Sequence, residues 1–319
     1  MPDHNHKRNF WRRLPLPFSV LAPMADVTDN AFRRLIADCG KPHVFVTEFV
    51  SCDGLCSRGR NRLLHHLTYT ESQRPIVAQI WGVNPETYYR TAQLIEELGF
   101  DGIDINMGCP VKNVCKTGGG SALIDNPALA QELINAAQEG GRGLPVSVKT
   151  RIGYDSIALE RWVGDLLVAS PAVITLHLRT RREMSKVPAH WEVMADAVRA
   201  ARGSGTLIVG NGDIRDLDHA DELVGQTGMD GAMLGRAVFG NPWLFSRRPA
   251  DDISLNERFE AMLLHASYYE QEYSGTKPFL LMRKHLMAHI SGIPGSKELR
   301  LRLGEANSAN DVQEALRWY

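Results

Sequence analysis

Cys109 stands between Gly108 and Pro110, just beyond the apolar run Asp101–Asn106. A free cysteine is usually a small buried hydrophobe. Here the flanking glycine and proline place it in a rigid exposed turn, where a thiol can react. With an ordinary pKa of ~8.5 that thiol is mostly protonated at neutral pH, so it can act as an acid without special tuning. A nucleophilic role would need a neighbouring base that lowers the pKa. Other chemically capable side chains close apolar runs in the same way: Glu48, Gln79, Asn106, Lys149 with Arg151, His177, Asn211 with Asp213, and Arg236. Brought together, they suit a polar ligand with both charge and hydrogen-bonding edges. Gly210-Asn211-Gly212-Asp213 and Leu234-Gly235-Arg236 add glycines that admit an anion to backbone N–H groups, and Arg236 adds a bidentate cation. Each motif alone reads equally as a tight turn; as a pair they point to a phosphate-bearing cofactor.

The elements that must position these residues are legible as alternating strands and helices. Candidate strands are Phe18–Ala22, His43–Phe49, Pro75–Trp81, Asp101–Asn106, Pro145–Thr150, Ala172–His177, Thr206–Asn211 and Asp230–Gly235. Most are continuous apolar runs, as expected of parallel strands covered on both faces. Between them, Asn84-Pro85 and Asn126-Pro127 are helix starts, and Gly40 and Gly99 are helix stops. Thr28–Cys39 carries Ala31, Leu35 and Ile36 on one face, with Arg33 and Arg34 elsewhere. Eight such units predict an α/β chain folded as a (β/α)8 TIM barrel, whose reactive groups gather at the C-terminal ends of the strands. An open doubly wound sheet is the alternative, but no Gly-x-Gly-x-x-Gly turn follows the first strand, and the Thr117–Gly120 stretch follows a loop. After about Pro249 the strand signals stop. Leu255–Tyr273, Pro278–Ser291 and Ala309–Trp318 read as helices, with Gly292-Ile293-Pro294-Gly295 as a turn. The expected organisation is a basic N-terminal arm over 1–17, a barrel over 18–248 and a small all-helical C-terminal domain over 249–319.

Bulk properties narrow the function classes. The formal net charge is −1, so any nucleic-acid contact must come from local basic clusters. The 5 cysteines lack a disulfide framework, which sets a reducing cytoplasm as the expectation. No apolar run reaches the ~18–20 residues of a membrane span, and the polar N-terminal segment lacks a signal-peptide stretch. A metal site built from Cys52, Cys56, His65 and His66 is too loosely spaced to be expected, so no metal is predicted. Asp104 reads as a buried hydrogen-bonding carboxylate, and Cys115 as packing.

The motifs in order resemble the dihydrouridine synthases. The segments that carry the likeness are Leu21-Ala22-Pro23-Met24-Ala25-Asp26-Val27-Thr28-Asp29, Thr47-Glu48-Phe49, Pro75–Gln79, Gly102–Pro110 with its Asn-Met-Gly-Cys-Pro loop, Val148–Gly153, Gly210–Asp213 and Gly235-Arg236. The likeness runs from about Leu21 to Phe245. It implies tightly bound FMN in the barrel mouth. The Ala22, Pro23 and Met24 backbone and Gln79 would contact the isoalloxazine, and Lys149 its N1/C2 edge. His177 would lie beside flavin and uracil, and Asn211, Gly212, Asp213, Gly235 and Arg236 would hold the ribityl phosphate. Asn106, Arg151 and Arg179 would hold the substrate. The usual His-Gly-Arg-Thr appears as His177-Leu178-Arg179-Thr180, and the loop after it is unusual too, which bears on which uridine is chosen.

By the same resemblance NADPH would reduce the flavin, hydride would reach uracil C6 and Cys109 would protonate C5. The partners implied are tRNA and NAD(P)H, with no membrane, and the chain is expected as a cytoplasmic monomer. Three basic clusters could meet RNA: Lys7, Arg8, Arg12 and Arg13 in the arm; Arg179, Arg181, Arg182 and Lys186 after strand six; and Lys277, Arg283, Lys284, Lys297, Arg300 and Arg302 in the helical domain. The last is favoured, as the tRNA-binding appendage of the family. Tyr268, Tyr269 and Tyr273 read as core rather than as base-stacking rings. Two rivals differ in partner: a small-molecule flavoenzyme acting on dihydroorotate or free pyrimidines, and a non-enzymatic RNA-binding factor.

Overall fold

The computed structural model describes residues 9–319. Its strands are β1 (Phe18–Leu21), β2 (Phe45–Val46), β3 (Val50–Ser51), β4 (Ile76–Trp81), β5 (Gly102–Met107), β6 (Val146–Arg151), β7 (Val173–His177), β8 (Leu207–Asn211) and β9 (Gly231–Leu234). All ladders are parallel, and they run β1-β9-β8-β7-β6-β5-β4-β2. The Val20–Val44 bridge brings the last position back to β1, so the sheet closes as a TIM barrel with helices between the strands. The run read as one strand, His43–Phe49, is two pieces, β2 and β3, both paired with β4. Between them Thr47 Oγ1 accepts the Gln79 N–H at 3.0 Å, and buried Glu48 turns its carboxylate to the Asp26 N–H. A side chain thus does the work of a ladder carbonyl, and the strand breaks there.

Strand periodicity sorts the residues into two cores. Leu21, Phe45, Ile76, Ala78, Ile80, Ile103 and Ile105 join the layer beneath the helices. Val20, Val44, Val46, Val77, Val173 and Val209 fill the barrel interior. Toward the C-terminal ends the same inward positions become Gln79, Asp104, Asn106, Ser147, Lys149, His177 and Asn211. An interior that is apolar at the bottom and hydrogen-bonding at the top is built to present a site at the top.

The N-terminal segment is not a free arm where it is described. Phe10–Arg13 is a 3-10 turn; Phe10 and Trp11 are buried and join the interior valine core at the opposite end from the mouth. The hydrophobic gain of burying two aromatic rings explains the seat. Lys7 and Arg8 lie outside the described residues.

The C-terminal helices are Leu255–Tyr273, Arg283–His289, Lys297–Glu305 and Ala309–Trp318. The first starts on a capping box between Ser254 and Glu257. Lys297–Glu305 was not anticipated; its polar sequence buries only Leu299 and Leu303. These helices share an apolar core with Ala31 of the barrel helix Asn30–Cys39. Phe32 of that helix stacks on His265, ring centroids 5.1 Å apart, and Tyr273 Oη accepts the Asn30 N–H at 3.1 Å. Arg33, off the apolar face marked by Ala31, Leu35 and Ile36, is nevertheless 1% exposed. It donates to Gln73 Oε1 at 3.0 Å and to the Thr28 and Thr68 carbonyls, both at 2.7 Å, tying the helix to the loop that precedes β4.

Candidate active site

A hydrogen-bonded ladder of side chains crosses the top of the barrel and ends at the thiol loop. Ser147 on β6 donates to Asp104 Oδ1 at 2.6 Å, and Gln79 on β4 donates to Asp104 Oδ2 at 2.7 Å. Gln79 Oε1 accepts from Asn106 Nδ2 at 3.0 Å. Asn106 Oδ1 then accepts the backbone N–H groups of Gly108 and Cys109 at 3.1 and 2.9 Å. Period-two geometry puts Asp104 and Asn106 on one face of β5. Burial pushes the Asp104 carboxyl up to about 6, opposed by its bonds to Ser147 and Gln79 and by the Lys149 charge.

The Cys109 loop is also held from below. Its carbonyl accepts the Ser121 N–H at 3.1 Å, the Ser121 hydroxyl at 3.0 Å and the Cys115 thiol at 3.6 Å. Gly120, at φ +58°, leaves room that a Cβ would close to 2.8 Å from that carbonyl. The Cys109 side chain itself is half-buried and free. Burial raises its pKa, with Cys115 adding to the rise; the Val111 N–H, Arg151 and Lys149 oppose it. The thiol is therefore protonated at neutral pH.

Of the residues expected at a cofactor, all but Gln79 line one cleft: Ala22, Pro23 and Met24 after β1, Lys149 and His177 at the ends of β6 and β7, Asn211, Gly212 and Asp213 after β8, and Gly235 and Arg236 after β9. Gln79 is fully buried with both amide ends engaged in the ladder. Lys149 Nζ lies 3.3 Å from Asn211 Oδ1, and Asn211 Nδ2 donates to the Met233 carbonyl at 2.8 Å. Burial, reinforced by Arg151, brings the Lys149 ammonium down to about 8, while Asp104 and Cys109 oppose the fall. Gly212 has φ +131°, and a Cβ there would stand 2.9 Å from the Ala189 Cβ and 3.3 Å from the His177 ring. Trp191, which the sequence reading passed over, donates to the Gly212 carbonyl at 3.0 Å from beneath that loop.

The residues expected at the substrate do not line that cleft; they brace it. Asn106 belongs to the ladder. Arg151, 5% exposed, donates to the Gly108 carbonyl at 2.9 Å and to the Thr180 and Met184 carbonyls at 3.0 and 2.9 Å. It staples the thiol loop to the loop after β7. Arg179, 3% exposed, bonds His177 and the Asp213 carboxylate. Asp213 also holds Arg236 and the Ala189 N–H. Its carboxyl lies below the ordinary value: burial alone would raise it, but Arg179, Ala189 and Arg236 outweigh that. Burial, together with Lys149, Arg151, Arg179 and Arg236, drives the His177 ring down to about 2, so it is neutral.

Comparison with known proteins assigns this architecture. The family profile "Dihydrouridine synthase (Dus)" matches residues 20–318. The chain is 43% identical over 314 residues to a Bacillus subtilis (strain 168) protein named "Probable tRNA-dihydrouridine synthase 2", covering 97% of this chain and 95% of that protein. It is 41% identical over 316 residues to the Staphylococcus aureus (strain COL) "Probable tRNA-dihydrouridine synthase", with coverage of 97% and 95%. The chain belongs to the dihydrouridine synthase family. Membership makes it a flavin-dependent oxidoreductase by class. The solved structures agree in fold: an old yellow enzyme homologue from Zymomonas mobilis superposes with TM-score 0.51 at 12% identity, covering 75% of this chain and 90% of that one. Morphinone reductase superposes with TM-score 0.54 at 13% identity, covering 74% and 87%.

Of the six basic residues expected to meet RNA in the helical domain of this dihydrouridine synthase family member, Lys284, Lys297 and Arg300 pair with no acid among the described residues, and the other three are engaged within the protein. In the helical domain Arg283 donates to the Ala306 and Glu305 carbonyls and to Asn307. Arg302 pairs with Glu298 and lies 4.3 Å from the centre of the Trp318 ring. Lys277 lies 4.3 Å from the centre of the Tyr273 ring. Tyr269 and Tyr273 are buried. The mouth also carries exposed Arg58, Arg60 and Arg62 after β3, Lys112 and Lys116 after β5, and Arg182 and Lys186 after β7. None of these pairs with an acid among the described residues. The first two groups were missed; their signal was position, in loops that follow strands. No group of three or more metal-ligating side chains occurs among the described residues, Cys52, Cys56, His65 and His66 included.

Proposed function

We propose that this enzyme reduces the C5–C6 double bond of uridine in tRNA, with NADPH as electron source, FMN in the cleft and Cys109 donating the proton to C5. The observation that carries the reading is that thiol loop and cleft meet at Lys149: it lines the cleft and stands in register beside Asn106, whose side chain holds the Cys109 N–H at 2.9 Å. The cleft's donor set suits a flavin mononucleotide. Exposed Arg236 and the glycine-bearing turns at 212 and 235 suit a phosphate, and the nearby Asp213 carboxylate is already compensated by two arginines. When bound, FMN supplies the hydride for C6.

The chain's own groups do the rest. Cys109 keeps its proton until C5 becomes basic. Lys149 offers a cation to the electron-rich ring edge and loses it only near pH 8. His177, being neutral, offers a hydrogen bond without adding charge. Gln79 and Asn106 hold the Cys109 backbone, and Arg151 holds the loop that carries it, so a flat pyrimidine meets a fixed thiol. The base must leave its stack to enter. The unpaired arginines and lysines of the rim suit the flanking phosphates, as do Lys284, Lys297 and Arg300 of the helical domain.

The deciding experiment is to map dihydrouridine in RNA from cells lacking the protein. Loss at one or a few positions, restored by the wild-type chain and not by C109A, is the expected result. Unchanged dihydrouridine at every position, or turnover of free uridine or dihydroorotate by the purified protein without RNA, would replace this reading with a small-molecule one.

A further inference from the structure

Burial leaves His177 neutral, and Arg179 decides which ring nitrogen carries the proton. Arg179 Nη1 lies 3.1 Å from His177 Nε2. A guanidinium can only donate, so Nε2 accepts and the ring proton sits on Nδ1. Two further donors of the same guanidinium are committed: Nε–H to the Val187 carbonyl at 2.6 Å and one Nη2–H to Asp213. At 3% exposure little water competes for them. Asp213 is held in turn by the Ala189 N–H at 2.9 Å, and its backbone, at φ +55°, directs the carboxylate back toward Arg179. Gly212, lacking a Cβ, lets the His177 ring and Arg179 lie against the turn.

We propose that Arg179, held by Asp213, is a positioning residue that fixes His177 as the neutral Nδ1–H tautomer, so that the ring always meets a cleft ligand as a donor. A free imidazole prefers the opposite tautomer, with the proton on Nε2, and titrates near 6.5. Without Arg179 the neutral ring would present a mixture of donor and acceptor. What the donor meets, a flavin or pyrimidine oxygen, rests on the function proposed above; the tautomer itself is a property of the chain alone.

The test uses ligand-free full-length protein with ¹⁵N-labelled histidine rings. Long-range ¹H–¹⁵N correlation at pH 7 reads the tautomer, and H177Q assigns the His177 signals. Wild type is expected to show a protonated Nδ1 and an acceptor Nε2. Arg179→Met should shift His177 toward Nε2–H. Asp213→Asn, which keeps Arg179 but loosens it, should give an intermediate mixture. FMN should bind R179M about tenfold more weakly, the effect of one lost hydrogen bond. A wild-type ring carrying its proton on Nε2, or a tautomer that R179M leaves unchanged, would overturn the proposal. Should R179M not fold, the wild-type and D213N spectra still decide. If the spectra come out as expected but no FMN binds and no dihydrouridine forms, the proposed function fails and the tautomer assignment stands.

Discussion

The barrel mouth and the seam with the helical domain both bury ionisable side chains, and they treat them in opposite ways. At the mouth, Arg151 and Arg179 are buried to 5% and 3% exposure and carry charge as arginines do, each held by backbone carbonyls and Arg179 also by Asp213. At the seam, His265, His285 and His289 are equally buried, but His265 meets the other two rings edge-on and stacks on Phe32, and the rings are neutral. Burial drives His285 down to about 3, aided by Lys284 and His289, and His289 down to about 4, aided by Arg258. A site that will receive anions gains from fixed positive charge. A docking surface gains from rings that pack as aromatics and carry none.

The sharpest way to separate the two is to touch the mouth without touching packing. Cys109→Ala removes the thiol, whereas the loop is held by the Cys109 backbone, through Ser121, Cys115 and Asn106. Dihydrouridine formation should fall by about 10²–10⁴-fold, the scale of a lost general acid. Flavin retention and the thermal midpoint should not change. Mass-spectrometric quantification of dihydrouridine on a tRNA substrate, beside a melting curve, checks both halves, and full turnover by C109A would remove Cys109 from the reaction.

The converse change strikes the support of the seam helix. Arg33→Met leaves the Thr28 and Thr68 carbonyls and Gln73 without their donor inside the protein. Each buried orphan costs about 1–3 kcal/mol, so a loss of roughly 3 kcal/mol or more is expected in urea denaturation, with flavin chemistry per folded molecule preserved. The two regions should also fail at opposite ends of the pH scale. Seam histidines have folded pKa values below the ordinary 6.5, so their contribution is complete above that value. It is lost as pH falls from 6.5 toward 3–4, on the order of a few kcal/mol per ring. Lys149 instead loses its charge as pH rises through about 8. Flavin affinity should weaken about tenfold above that point, and Lys149→Ala should abolish the pH dependence. Melting curves and flavin titrations across pH 4–10 would show whether the regions fail separately.

How much of this was legible in the sequence follows from what each residue needs. The barrel strands were readable because parallel strands covered on both faces are apolar throughout, and the cleft residues because strand ends collect at one rim. The break between β2 and β3 was not, since it depends on Thr47 taking a β4 N–H, a contact made across the sheet. Arg33 lies off the apolar face that periodicity marks, yet it is buried, because Thr28, Thr68 and Gln73 supply it with acceptors. Gln79, Arg151 and Arg179, expected to meet a ligand, are bonded to the chain itself. Residue type reveals that a hydrogen-bonding group is wanted at a position, but only coordinates reveal whether its partner is a ligand or the chain itself.

The smallest effect tests the surface that the comparison leaves for RNA. Side chains already engaged have little to gain from a phosphate: Arg283 holds carbonyls, and Arg302 holds Glu298 and Trp318. Arg60 after β3 and Lys112 after β5 are exposed in segments that follow strands and pair with no acid among the described residues. A phosphate contact displaces condensed counterions, so each one contributes close to ~1 unit to the slope of log affinity against log salt. Arg60→Ala and Lys112→Ala should each lower that slope by about that much for tRNA. Arg283→Ala should lower affinity only as far as it destabilises the helical domain, without changing the slope. Arg13→Ala, in the exposed part of the 3-10 turn at the opposite pole of the barrel, should do neither. If R283A changes the slope and R60A and K112A do not, RNA is held by the helical domain, and the basic rim is only a solvated edge.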